Sequence, residues 1–372
     1  MRFETKAIHA GLEIGNPSKS IIPPISPSTI FEIDADGRNE KDLHYTRLGN
    51  PNRLQFEHLI KTLEGGGAAA AFASGIAAAA AVLQSLDPGD HIIIPEDVYA
   101  GNRKMVKSIM KRWGLKADFI NMTIPGAIEA HIKPNTRLVW IETPSNPLMR
   151  ITDIASVSGM ARERGIRTLV DNTWPTPVNQ LPLELGADIV LHSTSKYFGG
   201  HSDILGGAIV AREEDDFFGR IRLIQQMGGA VPSPSDCWLL GRSTRTLAYR
   251  MRGHNEHAEK VVAWLTAHKK VADVYYPGLE SHPGHEIARK QMTGYGGMIS
   301  FIVDGDQQES IRIVGRAKLI KRATSLGGVE STWEHRQSSE GEGSVTPKNL
   351  IRLSVGLEHP DDIIEDLEQA LG

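Results

Sequence analysis

Between about residue 53 and residue 228 the chain alternates short apolar runs with helical patterns, and that alternation leaves few folds open. The runs fall at 68–72, 91–95, 117–121, 138–142, 168–171, 189–191 and 207–211. Each is too short for a buried helix and is bounded by turn formers, so each reads as a strand. Strands separated by helices pair in parallel and are covered on both faces, which predicts one large, mostly parallel seven-stranded α/β sheet. Ligands of such sheets bind beyond the carboxyl ends of the strands. The residues that close each run are therefore the candidates for chemistry.

Around that sheet the chain divides in three. Residues 1–52 are rich in proline and turn formers and read as an arm reaching outward. The α/β domain is expected over 53–233, with a short helix near 183–186. From Pro234 one long helical pattern runs to about Ala267 and opens a smaller α+β domain over 234–372. Its strands are expected at 271–276, 298–303 and 350–355. A chain of 372 residues, 40% apolar and 23% charged, can bury cores for both.

Composition excludes several function classes. A net charge of -4 gives no footprint for nucleic acid or an anionic membrane. The single cysteine, Cys237, rules out an intrachain disulfide and fits a cytoplasmic setting. No signal peptide or membrane span is expected, because Ser74 and Gly75 divide the longest apolar stretch, 68–83. No Cys/His cluster has zinc spacing, and the pairs His254/His257 and His282/His285 read as surface histidines, so no metal is expected. No Gly-x-Gly-x-x-Gly follows the first strand, against a dinucleotide fold.

The chemistry gathers after two neighbouring runs. The run that begins at Asp188 ends in Ser193, Ser195 and Lys196, and lysine is rarely buried without a chemical task. A lone Ser-x-Lys is more often a solvated lysine in a glycine loop; Asp171, closing the run 166–171 at the same sheet edge, changes the balance. Pyridoxal phosphate needs this pair: an amine to hold its aldehyde as an imine, and a carboxylate to keep its ring nitrogen protonated. Its phosphate needs donors, and Ser74-Gly75-Ile76 offers free amides at a helix start. Ser193 and Ser195 add hydroxyls, and Thr173 follows Asp171. Tyr99, beyond the run 91–95, can lie flat against the ring. Arg352, inside an otherwise apolar strand, costs free energy unless it holds an anion, and a substrate carboxylate would fit its fork.

The segment 188–202 closely resembles the pyridoxal-attachment signature of the Cys/Met-metabolism enzymes: cystathionine γ-synthases, cystathionine lyases, methionine γ-lyases and O-acylhomoserine sulfhydrylases. The resemblance continues through 5–11, 45–51, Ser74-Gly75 and 352–358. It implies a fold type I, aspartate aminotransferase-like architecture and a trans-sulfuration activity on a small amino acid. It assigns Lys196 as the cofactor lysine and proton carrier, Gly75 and Ile76 to the phosphate, Tyr99 to ring stacking and proton handling, and Asn146 to the cofactor 3-hydroxyl. Ser325 would stand beside Arg352 at the substrate carboxylate, and Glu330 would face the far end of the substrate. Tyr45 and Arg47 would reach the phosphate of a neighbouring subunit, implying a homodimer with shared sites and a homotetramer as a pair of dimers.

Some positions depart from the family pattern. Ser195 stands for the usual threonine, Ile76 for methionine and Ala100 for the first glycine of Tyr-Gly-Gly. His44 stands where several cystathionine enzymes carry an acid, and 332–340 replaces the usual His-Pro-Ala and Met-Thr-His segment. The last two changes are expected near the distal substrate pocket. The implied activity is that of a cystathionine γ-lyase-like C-S lyase. Cystathionine γ-synthase, methionine γ-lyase and cystathionine β-lyase are alternatives, and a non-catalytic pyridoxal-binding protein is the competing class.

Overall fold

The computed structural model describes residues 1–37, 43–340 and 344–372. Seven strands form the first sheet: β1 (Ala68–Phe72), β2 (His91–Pro95), β3 (Lys116–Ile120), β4 (Thr136–Glu142), β5 (Arg167–Asp171), β6 (Ile189–His192) and β7 (Gly207–Ala211). They lie in the order β1-β7-β6-β5-β4-β2-β3. All neighbours pair in parallel except β7, which runs antiparallel to both β1 and β6. Successive strand residues face opposite sides, so Trp140, Leu169 and Leu191 enter one core while Val139, Val170 and Val190 enter the cores beneath. Each fully buried Leu, Ile or Val stabilises the fold by about 1.5–3 kcal/mol.

A second sheet of five strands has the order β10-β11-β12-β9-β8. Its strands are β8 (Val271–Tyr275), β9 (Met298–Val303), β10 (Lys321–Arg322), β11 (Thr332–His335) and β12 (Leu350–Ser354). β11 and β10 escape the sequence pattern, because in Thr332–His335 only Trp333 is apolar and its polar neighbours Thr332, Glu334 and His335 look solvated. Pairing with β12 buries Glu334 and His335 instead.

Three further expectations are corrected. The pattern after Pro234 is two helices, Pro234–Thr244 and Leu247–Ala267, broken where Thr246 leaves helical geometry at φ -107 and ψ 8. The short helix between β5 and β6 is Thr176–Asn179, while 182–186 is a turn closed by Gly186 at φ +104. His254 is not a surface residue: it is fully buried, with Nδ1 2.8 Å from the Val355 carbonyl and its ring edge-on to Tyr197. Among the described residues no helix is long and apolar enough to cross a membrane, and no three His, Cys, Asp or Glu side chains group as a metal site.

Candidate active site

The strand order sets the site. β4, β5 and β6 are central neighbours, and their register places Glu142 opposite Asp171 and Asp171 opposite Leu191. Their carboxyl ends therefore deliver Glu142, Asp171 and the Ser193–Lys196 loop to one edge. Asp171 Oδ1 accepts from the Thr173 amide at 3.1 Å, and Thr173 Oγ1 accepts from the Ser193 amide at 2.9 Å, which ties the two loops together. Burial raises the Asp171 carboxyl above its ordinary value, opposed by the Thr173 hydrogen bonds and by the charge of His192. Burial, then the like charge of Asp171, holds Glu142 well above the usual carboxylate range.

Lys196 keeps part of its surface open, and its Nζ donates to Ser325 Oγ at 2.5 Å. Burial, reinforced by Arg352 and Arg336 and opposed by Glu334, pulls its amine down to about 8. Arg352 reaches the same place from β12. Its Nη1 donates to Asn146 Oδ1 at 2.8 Å and its Nη2 to the Ser325 carbonyl at 3.0 Å. Ser325 thus touches both cations, and it sits at φ +88, a conformation uncommon outside glycine. Asn146 and the expected 3-hydroxyl partner role share a side chain that here meets Arg352.

The helix Gly75–Gln84 begins beside this loop. Its N-cap Ser74 spends its hydroxyl on the Ala77 amide at 3.1 Å, while the Gly75 and Ile76 amides belong to the first turn, whose N–H groups the helix itself does not use. A Cβ on Gly75 would stand 2.8 Å from Ser193 Cβ, so only glycine lets the helix start and the lysine loop approach this closely. Ser195 Oγ exchanges hydrogen bonds with Gly206, donating to its carbonyl at 3.2 Å and accepting from its amide at 2.9 Å. Tyr99 is exposed, with its amide donated to Glu142 Oε2 at 3.0 Å. Ala100 is accommodated because the glycine the tyrosine ring requires is Gly101, where a Cβ would stand 2.4 Å from the ring. An amine, a carboxylate, a helix start with free amides and an exposed ring on one edge fit pyridoxal phosphate.

Residues 4–372 match the family described as Cys/Met metabolism PLP-dependent enzyme. The chain belongs to that family. It is 43% identical to a cystathionine gamma-synthase of Mycobacterium leprae over 99% of this chain and 96% of the relative. The crystal structure of metB from Corynebacterium glutamicum superposes with a TM-score of 0.97 at 40% identity, covering 100% of this chain and 98% of that one. That of a cystathionine gamma-lyase from Lactobacillus plantarum, complexed with L-serine, gives 0.93 at 38%, with the same coverage. This Cys/Met-metabolism enzyme therefore has the fold type I architecture and uses pyridoxal phosphate in trans-sulfuration chemistry.

Glu330 lies nearby, where its Oε1 accepts from the Ser202 hydroxyl. Among the described residues no hydrogen bond or ion pair joins Tyr45 or Arg47 to this cluster. Arg47 Nη1 donates to the Gln226 carbonyl at 2.8 Å and its guanidinium covers the Tyr45 ring at 5.5 Å. Sequence reasoning missed Glu334 and Arg336. Glu334 Oε1 meets Arg352 Nη2 at 2.5 Å and Arg336 Nη1 at 2.8 Å, all three side chains buried. The signal that could have found them is Trp333 followed at strand spacing by Glu334 and Arg336 on the opposite face, which implies one face packed and the other facing Arg352. It also missed Glu64, whose Oε1 lies 2.5 Å from His192 Nε2 and accepts from Asn172 Nδ2 at 3.0 Å, a polar cluster under the end of β5.

Proposed function

We propose that this enzyme cleaves the bond at the γ-carbon of a sulfur-containing amino acid, as a cystathionine γ-lyase-like C-S lyase. The observation that carries the reading is Lys196: a half-buried amine pulled down to about 8, held by Ser325 beside the guanidinium of Arg352. Arg352 holds the substrate α-carboxylate, which sets the α-carbon within reach of Lys196 Nζ. Lys196 takes the α-proton, would hand it on to the cofactor carbon that carried the aldehyde and so become a free amine again, and then takes a β-proton, the second transfer that departure from the γ-carbon requires. Bound pyridoxal phosphate supplies the electron sink for the charge left on the α-carbon. Asp171 would pair with its ring nitrogen, and Gly75 and Ile76 would offer their amides to its phosphate. Tyr99 would cover the ring, and Glu330 would face the distal end of the substrate.

The second reading is γ-replacement on an O-acylhomoserine, favoured by the name of the 43% identical relative. One assay separates them. Cystathionine alone should yield cysteine, ammonia and 2-oxobutanoate. Pyruvate with homocysteine would mean β-elimination, and turnover confined to an O-acylhomoserine plus cysteine would establish the synthase and overturn the lyase reading.

A further inference from the structure

The α-carboxylate site already contains a carboxylate of the protein. β11 and β12 pair so that Glu334 stands directly opposite Arg352, and Glu334 Oε1 sits 2.5 Å from Arg352 Nη2. The same oxygen accepts from Arg336 Nη1 at 2.8 Å, and Oε2 accepts from the Ser339 hydroxyl at 2.6 Å. Arg336 is anchored in turn, its Nε donating to Glu340 Oε1 at 2.9 Å, with Glu340 Oε2 held by the hydroxyls of Thr346 and Ser344. These four buried charges, Arg352, Arg336, Glu334 and Glu340, sum to zero.

A carboxylate gripped by a guanidinium fork takes two parallel N–H bonds. On Arg352 one nitrogen donates to Asn146, while Nη2 serves both Glu334 and the Ser325 carbonyl. A substrate carboxylate must therefore displace Glu334 from Nη2. Glu334 has a place to go, because Arg336 and Ser339 already hold it.

We propose that Glu334 is a placeholder anion on Arg352 that yields to the substrate carboxylate and is retained by Arg336, making Glu334 and Arg336 positioning residues that set carboxylate affinity. The inference rests on the reading of Arg352 as the carboxylate site. In the empty pocket Glu334 keeps a buried guanidinium neutralised and aimed, since an unpaired one would be costly. On binding, the net affinity is the difference between two anions competing for one fork, so ground-state binding is moderated. Arg336 decides how readily Glu334 lets go.

The test uses the loaded enzyme and 4-(methylsulfanyl)butanoate, a thioether carboxylate with no amine, its dissociation constant read by calorimetry. Glu334→Gln removes the competitor and should tighten the probe about tenfold, whereas Arg336→Gln leaves Glu334 with only Arg352 and the Ser339 hydroxyl and should weaken it about tenfold. The double variant should bind the probe like Glu334→Gln, about tenfold tighter than the parent, because Arg336 acts only through Glu334. Weaker binding in Glu334→Gln, or effects that simply add so that the double variant returns to the parent value, overturns the exchange. Thermal midpoints and bound cofactor verify that each variant is folded. Should Arg336→Gln not fold, Glu334→Gln decides alone. Arg352→Gln separates the two readings: if it binds the probe like the parent, the carboxylate assignment of Arg352 is what fails.

Discussion

Lys196 and Ser325 are 129 positions apart, yet the lysine Nζ donates to the serine Oγ at 2.5 Å. The contact joins the loop after β6 to the loop before β11, and the carbonyl of the same serine accepts from Arg352. One residue at φ +88 therefore sets the spacing between the base and the carboxylate fork. Ser325→Ala keeps the backbone and removes the acceptor. We expect cofactor to remain trapped on Lys196 by borohydride while kcat/KM falls about tenfold, the scale of one lost hydrogen bond to a charged group. Steady-state kinetics within twofold of the parent would show that the hydroxyl does not place the lysine.

The Lys196 amine should be the slow titration in cofactor capture. Only the neutral amine attacks an aldehyde, and burial with Arg352 brings that amine to about 8 rather than the ordinary 10.5. Cofactor-stripped protein should take up pyridoxal phosphate at a rate that rises with pH and levels off above about 8. Stopped-flow absorbance gives the midpoint, and a rate still climbing steeply at pH 10 would contradict the assignment. The same burial predicts that the stripped protein gains stability as pH rises from 8 toward 10.5, because the unfolded chain alone then still binds the proton.

Glu142 makes a separate pH prediction. Its carboxyl is raised by burial first and by Asp171 second, from an ordinary value of 4.5. Below 4.5 both folded and unfolded chains carry the proton, and the residue costs nothing. As pH rises the unfolded chain sheds it first, so the stability present at low pH is lost progressively until the folded carboxyl also ionises. Glu142→Gln keeps an acceptor for the Tyr99 amide and cannot ionise. Its thermal midpoint should match the parent near pH 4 and exceed it increasingly toward pH 7. A constant offset across that range would show that the folded carboxyl titrates normally.

Much of this was legible in local pattern. The seven strands of the large sheet, Lys196, Asp171 and the helix start at Gly75 all follow from apolar runs and what closes them. What escaped depends on pairing across long separations. Glu334 and Arg336 look like solvated charges until β11 aligns with β12 and buries them against Arg352. His254 looks like a surface residue until Val355 accepts from its ring. Likewise Thr246 breaks the long helix with no proline or glycine to announce it. Local sequence shows which residues could carry chemistry, while the partners that tune them arrive through tertiary register.

The arm supplies the last prediction. Tyr45 and Arg47 are held on the arm by Gln226 and by Arg53, whose Nη1 donates to the Thr46 carbonyl at 2.9 Å. Among the described residues no hydrogen bond or ion pair joins either to Lys196, Asp171 or Ser193. An exposed tyrosine under a guanidinium, unbonded to its own chain's site residues, is suited to serve the site of another copy. We therefore expect each site to be completed by a neighbouring subunit. Lys196→Ala and Arg47→Ala should each be inactive alone. After subunit exchange, half of the dimers formed at random are mixed, and a two-fold mixed dimer holds one doubly damaged and one intact site. Activity should recover to about a quarter of the parent value. If each site is built within one chain, exchange verified by differently tagged subunits restores nothing, and the role of the arm is wrong.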